Sequence, residues 1–243
     1  MRISAICMQC QIDDGEPPLT RFSVEFPERG WFELTCDRGH RTATVIQATK
    51  FEIFSKRAVD AIADCSYGDA VLSLALSLER LYEFFIEATC RQRGVSREQF
   101  TATWASMSNQ SERQLGAFLA AFLIVTGETP KLLPRKAVEL RNSVVHKGKF
   151  PAREESIKFG EAVFDCAHSV LDVLRGANFD EIRRTLVFEH VGEKMNEAVQ
   201  AGIPIPGVIW IGTPLSISTV DQPKDFSAHV PSYADFRSNW EGI

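Results

Sequence analysis

Residues 69–94 read DAVLSLALSLERLYEFFIEATCRQRG, and this stretch decides the fold class. Its apolar residues Val71, Leu72, Leu74, Ala75, Leu78, Leu81, Tyr82, Phe85 and Ile86 recur at three- and four-residue intervals. That is the period of an α-helix with one wide buried face. Asp69 can cap its start and Gly94 suits its end. Such a helix is about seven turns long and must bury its stripe against other elements. The stretch therefore predicts a helical bundle built around it.

Further helices follow on its C-terminal side. Ser96-Arg97-Glu98-Gln99 and Ser111-Glu112-Arg113-Gln114 both carry the capping-box pattern, in which a hydroxyl and a side-chain amide or acid satisfy each other's backbone N–H groups. The second precedes Leu115, Phe118, Leu119, Phe122 and Leu123, a compact buried helix ending near Gly127. Pro134 and Gly148 bracket another helix, Pro suiting the first turn and Gly the C-terminal cap. Residues 153–175 predict a long helix with Ile157, Phe159, Val163, Phe164, Ala167, Val170, Leu171 and Leu174 inward, and residues 180–200 one more.

Toward the N-terminus the period changes. Arg57 to Cys65 predicts a short helix. Before it, Arg21 to Phe26 alternates polar and apolar, and Trp31 to Leu34 does so more loosely. Thr42 to Gln47 and Phe51 to Phe54 supply two more expected strands, with turns at Gly15–Pro18 and Pro27–Gly30. At the other end, Pro204, Pro206, Pro214, Pro223 and Pro231 break regular structure, and Val208 to Ile211 predicts a strand. Phe226, Tyr233, Phe236 and Trp240 imply an arm that packs on something, whether its own body or a second subunit. The expected class is α+β, mainly α: a small β module over 1–55, a helical bundle over 56–202 and an irregular C-terminal extension over 203–243.

The chain has 243 residues, 44% hydrophobic and 24% charged, with a net charge of −5. Those values describe an ordinary globular chain and do not by themselves suggest nucleic-acid binding. The charge is unevenly placed. Residues 131–158 hold Lys131, Arg135, Lys136, Arg141, Lys147, Lys149, Arg153 and Lys158 against Glu139, Glu154 and Glu155, a local excess of five positive charges. Such an island can attract a phosphate backbone, although a solvated helix face has the same look. The first residues have no signal-peptide pattern, and the run Gly116 to Val125 is too short to span a bilayer. A cytoplasmic protein with no membrane partner is expected, and six cysteines in a reducing compartment are not expected to form a disulfide framework.

Four of the chain's Cys and His residues fall in two close pairs. Cys7-Met8-Gln9-Cys10 is a C-x2-C pair, and Cys36 to His40 is a C-x3-H pair. Thiolates and imidazoles are zinc ligands, and two close pairs on β-turns can supply a tetrahedral set with little chain strain. The pattern resembles a zinc ribbon. Cys7, Cys10, Cys36 and His40 are the expected ligands of a structural zinc, since four protein ligands leave no open position for water. Two incidental thiols and a surface His40 are the simpler alternative. Cys65, Cys90 and Cys166 fall on predicted helices and read as packing thiols.

The second constellation lies in the basic island. Leu140-Arg141-Asn142-Ser143-Val144-Val145-His146 ends the predicted helix that Lys147-Gly148 closes. Asn142 and His146 are i, i+4 and share a face, and Arg141 sits beside them. Histidine titrates near neutral pH and can pass protons. Arginine presents a planar fork to phosphate oxygens. No Gly-rich phosphate loop, H-E-x-x-H or nucleophile elbow occurs.

The pattern Arg-polar-x-x-x-His in a helical setting resembles the RNA-cleaving motif of the HEPN superfamily, R-x4–6-H, over about residues 69–175. The resemblance implies a HEPN-like bundle and a metal-independent endoribonuclease, in a toxin or defence role. RNA would be cleaved by attack of the ribose 2′-OH. His146 would move the proton, Arg141 would stabilise phosphate charge, and Asn142 would orient His146 or bind a phosphate oxygen. Lys147 and Lys149 would contact RNA. HEPN nucleases join two motifs across an interface, and this chain has one, so the resemblance also implies a homodimer. Two alternatives stay open. Arg141 can pair with Glu79, Glu139 or another acid, and His146 can simply favour a helix C-terminus. Some HEPN domains do not cleave; such a chain would dimerise and use its zinc module or C-terminal arm to bind a protein partner or nucleic acid.

Overall fold

The computed structural model describes residues 2–15, 20–23, 30–107, 110–203 and 206–231. Along them the chain forms β1 (Arg2–Ala5), α1 (Met8–Asp14), β2 (Thr20–Ser23), β3 (Trp31–Thr35), β4 (Arg41–Ile46), α2 (Lys50–Ala63), α3 (Tyr67–Gln92), α4 (Arg97–Ala105), α5 (Ser111–Thr126), α6 (Arg135–Lys147), α7 (Arg153–Leu174), α8 (Asp180–Gln200) and β5 (Gly207–Ile209). Short 3-10 turns occur at Ala177–Phe179 and Phe226–His229. The fold is α+β and mainly α, as expected. Among the described residues no helix is long and apolar enough to cross a membrane.

Two compact units form. Among the described residues, one comprises those up to Thr49 together with Thr185–Gly212; the other comprises Lys50–Arg184 and Thr213–Pro231. The expected bundle 56–202 is thus divided after Arg184, and the described part of the expected extension 203–243 after Gly212.

In the first unit, β1 and β2 make an antiparallel ribbon. The sheet order is β3-β4-β5. β3 is antiparallel to β4, with Trp31 opposite Val45 and Leu34 opposite Thr42. β5 is parallel to β4, with Val45 opposite Val208. A parallel neighbour cannot be reached by a tight turn, which is why the third strand comes from beyond the helices. Trp31, Ala43 and Val45 pack against Ala198 and Ile203, with Val191 and Met195 beside them. The later turns of α8 therefore cover one sheet face.

In the second unit α3 is the central element, touching α2, α4, α5, α6 and α7. Phe85 of α3 meets Phe118 edge-on at 5.6 Å and lies 5.5 Å from Phe122, while Tyr82 stacks on Phe118 at 3.8 Å. Each fully buried Phe contributes roughly 1.5–3 kcal/mol of transfer free energy, so this aromatic seam fixes α5 on α3. Ser96 and Gln99 make the expected capping box.

Four local expectations change. Asp69 does not cap α3: Ser66 holds the cap position and Asp69 lies in the first turn. Phe51 to Phe54 is not a strand but the first turn of α2, which buries Phe51, Ser55, Ala58, Val59 and Ile62 at helical spacing. A four-residue aromatic and β-branched run fits either state, and its continuation into Ile62 decides. Ser111 is the first helical residue of α5, not its cap; Gln110 holds the cap position and Gln114 is buried, accepting from Arg80 at 3.0 Å. Cys7 and Cys10 do not sit on a β-turn: Cys7 caps α1 and Cys10 lies in its first turn. The expected strand Arg21–Phe26 is described to Ser23, the expected turns lie mostly outside the described residues, and so do Tyr233, Phe236 and Trp240.

The C-terminal segment packs on its own helical unit. Leu215, Ile217 and Phe226 are fully buried. The buried Glu52 carboxylate accepts from the Ile217 N–H at 2.8 Å, and Arg175 and Arg183 donate to the carbonyls of Thr219 and Ile217. Glu161 accepts from the N–H groups of Phe226 and Ser227. These bonds satisfy a strap that has almost no regular structure of its own.

Candidate functional site

The first site gathers the two Cys/His pairs. Cys7 and Cys10 face one way because they sit three residues apart at the start of α1. Cys36 leaves β3 and His40 enters β4, so the hairpin loop between them brings both to its base. The loop closes through the Cys36 N–H to the His40 carbonyl at 3.1 Å and the Gly39 N–H to the Cys36 carbonyl at 2.8 Å. Gly39 has φ +81° and supplies the left-handed residue that this turn needs.

The four ligand atoms lie within 4.8 Å of one another. Cys10 Sγ is 3.8 Å from Cys36 Sγ and 3.4 Å from His40 Nδ1, and Cys7 Sγ is 3.9 Å from that nitrogen. Thiolate and imidazole ligands at zinc bond lengths, set tetrahedrally, stand about 3.5–3.8 Å apart. These pairs are close to that spacing and the widest lies within an ångström or so of it, so the set suits a tetrahedral metal after small side-chain shifts; 3.8 Å between sulfurs is no disulfide. Burial and the neighbouring thiols Cys7 and Cys36 push the Cys10 thiol up to about 12. Cys36 goes the other way: burial opposes its ionisation, but the N–H groups of Arg38 and His40 lower it below its ordinary value. A cation at the centre is the group that lets all three sulfurs ionise together.

The second site is a groove in the helical unit, about 470 Å³ in volume, between α3, α5 and α6. Leu78, Leu115, Leu132, Leu133 and Val138 give it an apolar lining. Arg141, Asn142 and His146 all line it. Pro134 caps α6 and Gly148, at φ +64°, ends it, so all three project from one well-bounded helix. Arg141 donates through Nη2 to Glu79 Oε1 of α3 at 3.0 Å and through Nη1 to Asn142 Oδ1 at 3.2 Å. The Arg141–Glu79 pair is only about a quarter exposed. His146 is exposed in the last turn of α6, and among the described residues no hydrogen bond or ion pair engages its ring.

The expected site residues divide accordingly. Arg141, Asn142 and His146 come together; Asn142 bonds to Arg141, not to His146. Lys147 is exposed beyond the groove lining. Lys149 is held by Glu155 at 2.6 Å, and that bond, with the Ala152 N–H, draws the Glu155 carboxyl below its ordinary range. Lys131 and Arg135 also carry acid partners, Asp165 and Glu139. The positive island is therefore partly neutralised in place.

Sequence reasoning did not find Tyr82, Ser111, Glu112 or Gln114 as groove residues. They come from two other helices, and only Glu79 had a signal, as an acid within reach of Arg141. Of the remaining thiols, burial raises Cys90 and pushes Cys166 up to about 11, which fits packing; Cys65 is exposed at the end of α2, with φ +59°. Comparison with protein-family models, with curated proteins and with solved structures gives no match to this chain.

Proposed function

We propose that the chain is a metal-independent endoribonuclease of HEPN type that works as a homodimer, with a structural zinc at Cys7, Cys10, Cys36 and His40. The observation that carries the reading is the shared groove of Arg141, Asn142 and His146. Exposed His146 is available to take the proton of a ribose 2′-OH as its oxygen attacks phosphorus. The P–O5′ bond then breaks, and the 5′-oxygen takes a proton from the second His146 of the dimer, leaving a cyclic phosphate and a free 5′-OH. Arg141, ordered by Glu79 and Asn142, offers N–H donors to the phosphate oxygens in the transition state. An apolar rim suits a dimer contact: Leu115, Leu132 and Val138 line the groove and are partly exposed.

The test is cleavage of single-stranded RNA in EDTA, with circular dichroism verifying the fold. Wild type cleaves, His146→Ala falls by at least 100-fold, and the products carry cyclic phosphate ends. Equal activity in both proteins, or none in either, overturns the reading. In a toxin or defence role the wild-type chain slows the growth of cells expressing it and the His146→Ala chain does not.

One observation favours a second reading. Arg141 is already compensated by Glu79, and Glu112 adds another acid to the groove. A groove balanced in this way also suits a non-catalytic dimerisation module that binds a protein partner or nucleic acid through its zinc site. An RNA-inactive dimer with intact zinc is the result that selects it.

A further inference from the structure

Phe150 is 96% exposed, the most exposed large apolar side chain among the described residues. Isolated exposure of a Phe ring is costly, so its place matters. It stands in the link between α6 and α7, four residues after His146, with Lys147 and Lys149 on its N-terminal side and Arg153 on its C-terminal side. The link is not slack. The Gly148 and Lys149 N–H groups both bond back to the Ser143 carbonyl, closing α6. Lys149 is held by Glu155, and Glu155 accepts from the Ala152 N–H at 2.9 Å. Pro151 is buried, its ring fixes its own φ, and it restricts the backbone of Phe150 before it. The ring is thus presented on an ordered turn.

The occupant follows from the surroundings. A protein contact normally sets an aromatic anchor among other apolar groups. Here the exposed chain neighbours within four residues of Phe150 are His146, Lys147, Gly148, Lys149, Ala152, Arg153 and Glu154, none of them a large apolar group. One bare aromatic ring flanked by exposed Lys147 and Arg153 fits a nucleobase, which stacks on the ring while those two cations meet the adjoining phosphates. We propose that Phe150 is a base-stacking platform for single-stranded RNA, seating a nucleotide next to the one whose phosphate is at Arg141 and His146. This rests on the ribonuclease reading for its choice of RNA, but its own evidence is the exposed ring and its cationic frame.

The experiment uses the full chain in a His146→Ala background, so that RNA stays intact, and reads the fluorescence anisotropy of a labelled 12-nucleotide unstructured RNA. Phe150→Ala should weaken binding by about tenfold or more, and Phe150→Trp should keep it, since stacking needs only an aromatic face. A duplex of the same sequence, whose bases are unavailable, should show no dependence on residue 150. Equal affinity of the parent and Phe150→Ala for the single strand overturns the proposal. So does a change of oligomeric state in Phe150→Ala, by light scattering, with RNA affinity unchanged; the ring would then seat a second copy. Stacking-dependent binding by a chain whose wild type never cleaves upholds this proposal and removes the ribonuclease reading alone.

Discussion

Arg141 on α6 donates to Glu79 on α3 at 3.0 Å, across 62 residues of sequence. The bond holds the guanidinium against the groove wall and ties the motif helix to the central helix. Partly sheltered pairs of this kind contribute on the order of 1 kcal/mol. Glu79→Ala and Arg141→Ala should each lower unfolding stability by about that amount. The double variant should lose less than the sum, giving a coupling of roughly 0.5–1.5 kcal/mol by urea unfolding. Zero coupling means that the pair does not position Arg141.

Metal analysis of purified protein should find one zinc per chain. Cys10→Ala or Cys36→Ala should abolish it, because three ligands no longer close a tetrahedron. Chelation should lower the melting temperature, and affinity should fall with falling pH, since zinc must displace thiol protons. A metal-free preparation with the same melting temperature in chelator contradicts the site.

A Cβ on residue 160 would lie 2.2 Å from the Phe226 ring. The ring is fully buried and its backbone N–H is pinned by Glu161, so it has nowhere cheap to move. Gly160→Ala should cost about 1–3 kcal/mol as overpacking and expose the strap from Thr213 to limited proteolysis. Phe226→Leu in the same chain should recover part of the loss. An unchanged digestion pattern would mean that the strap is not held at this point.

His168 of α7 is buried beside Phe164, and among the described residues neither ring nitrogen has a hydrogen-bond partner. Burial, then the positive charges of Lys224, Arg175 and His229, lowers its pKa below 6.5, with Asp172 opposing. The neutral ring is therefore the native form. Above about pH 6.5 it is neutral folded or unfolded, and stability is full. As pH falls below 6.5 the unfolded chain takes up the proton first, and stability drops until the lowered native value is passed. Urea midpoints between pH 7.5 and 5 should slope downward, and His168→Gln should flatten that slope. An identical slope in the variant assigns it to other groups.

The helices were legible because their signals are local. The Phe118–Phe122 stripe, the Ser96–Gln99 box, Pro134 and Gly148 each act within a few residues. The Cys/His cluster that could hold a metal was legible for a related reason: two close pairs carry ligand spacing whatever fold joins them. Phe51 to Phe54 misled because four residues are too few to show a period. α1 misled because a Cys-x2-Cys pair serves equally on a turn or on a helix's first turn. The groove partners Tyr82 and Gln114 had no local mark at all.

What the sequence by itself determined is the class of most segments and the local grouping of the candidate residues: the long helix at residues 69–94, the Cys/His pairs, and Arg141, Asn142 and His146 on one helix. Tertiary structure alone decided that Arg141 is tied to Glu79, that Phe226 fills the notch at Gly160, and that β5 joins β4 in parallel. Periodicity, capping and ligand spacing are written in neighbouring residues. Those three contacts depend on which faces of distant segments meet, and that is set by the packing of the whole core.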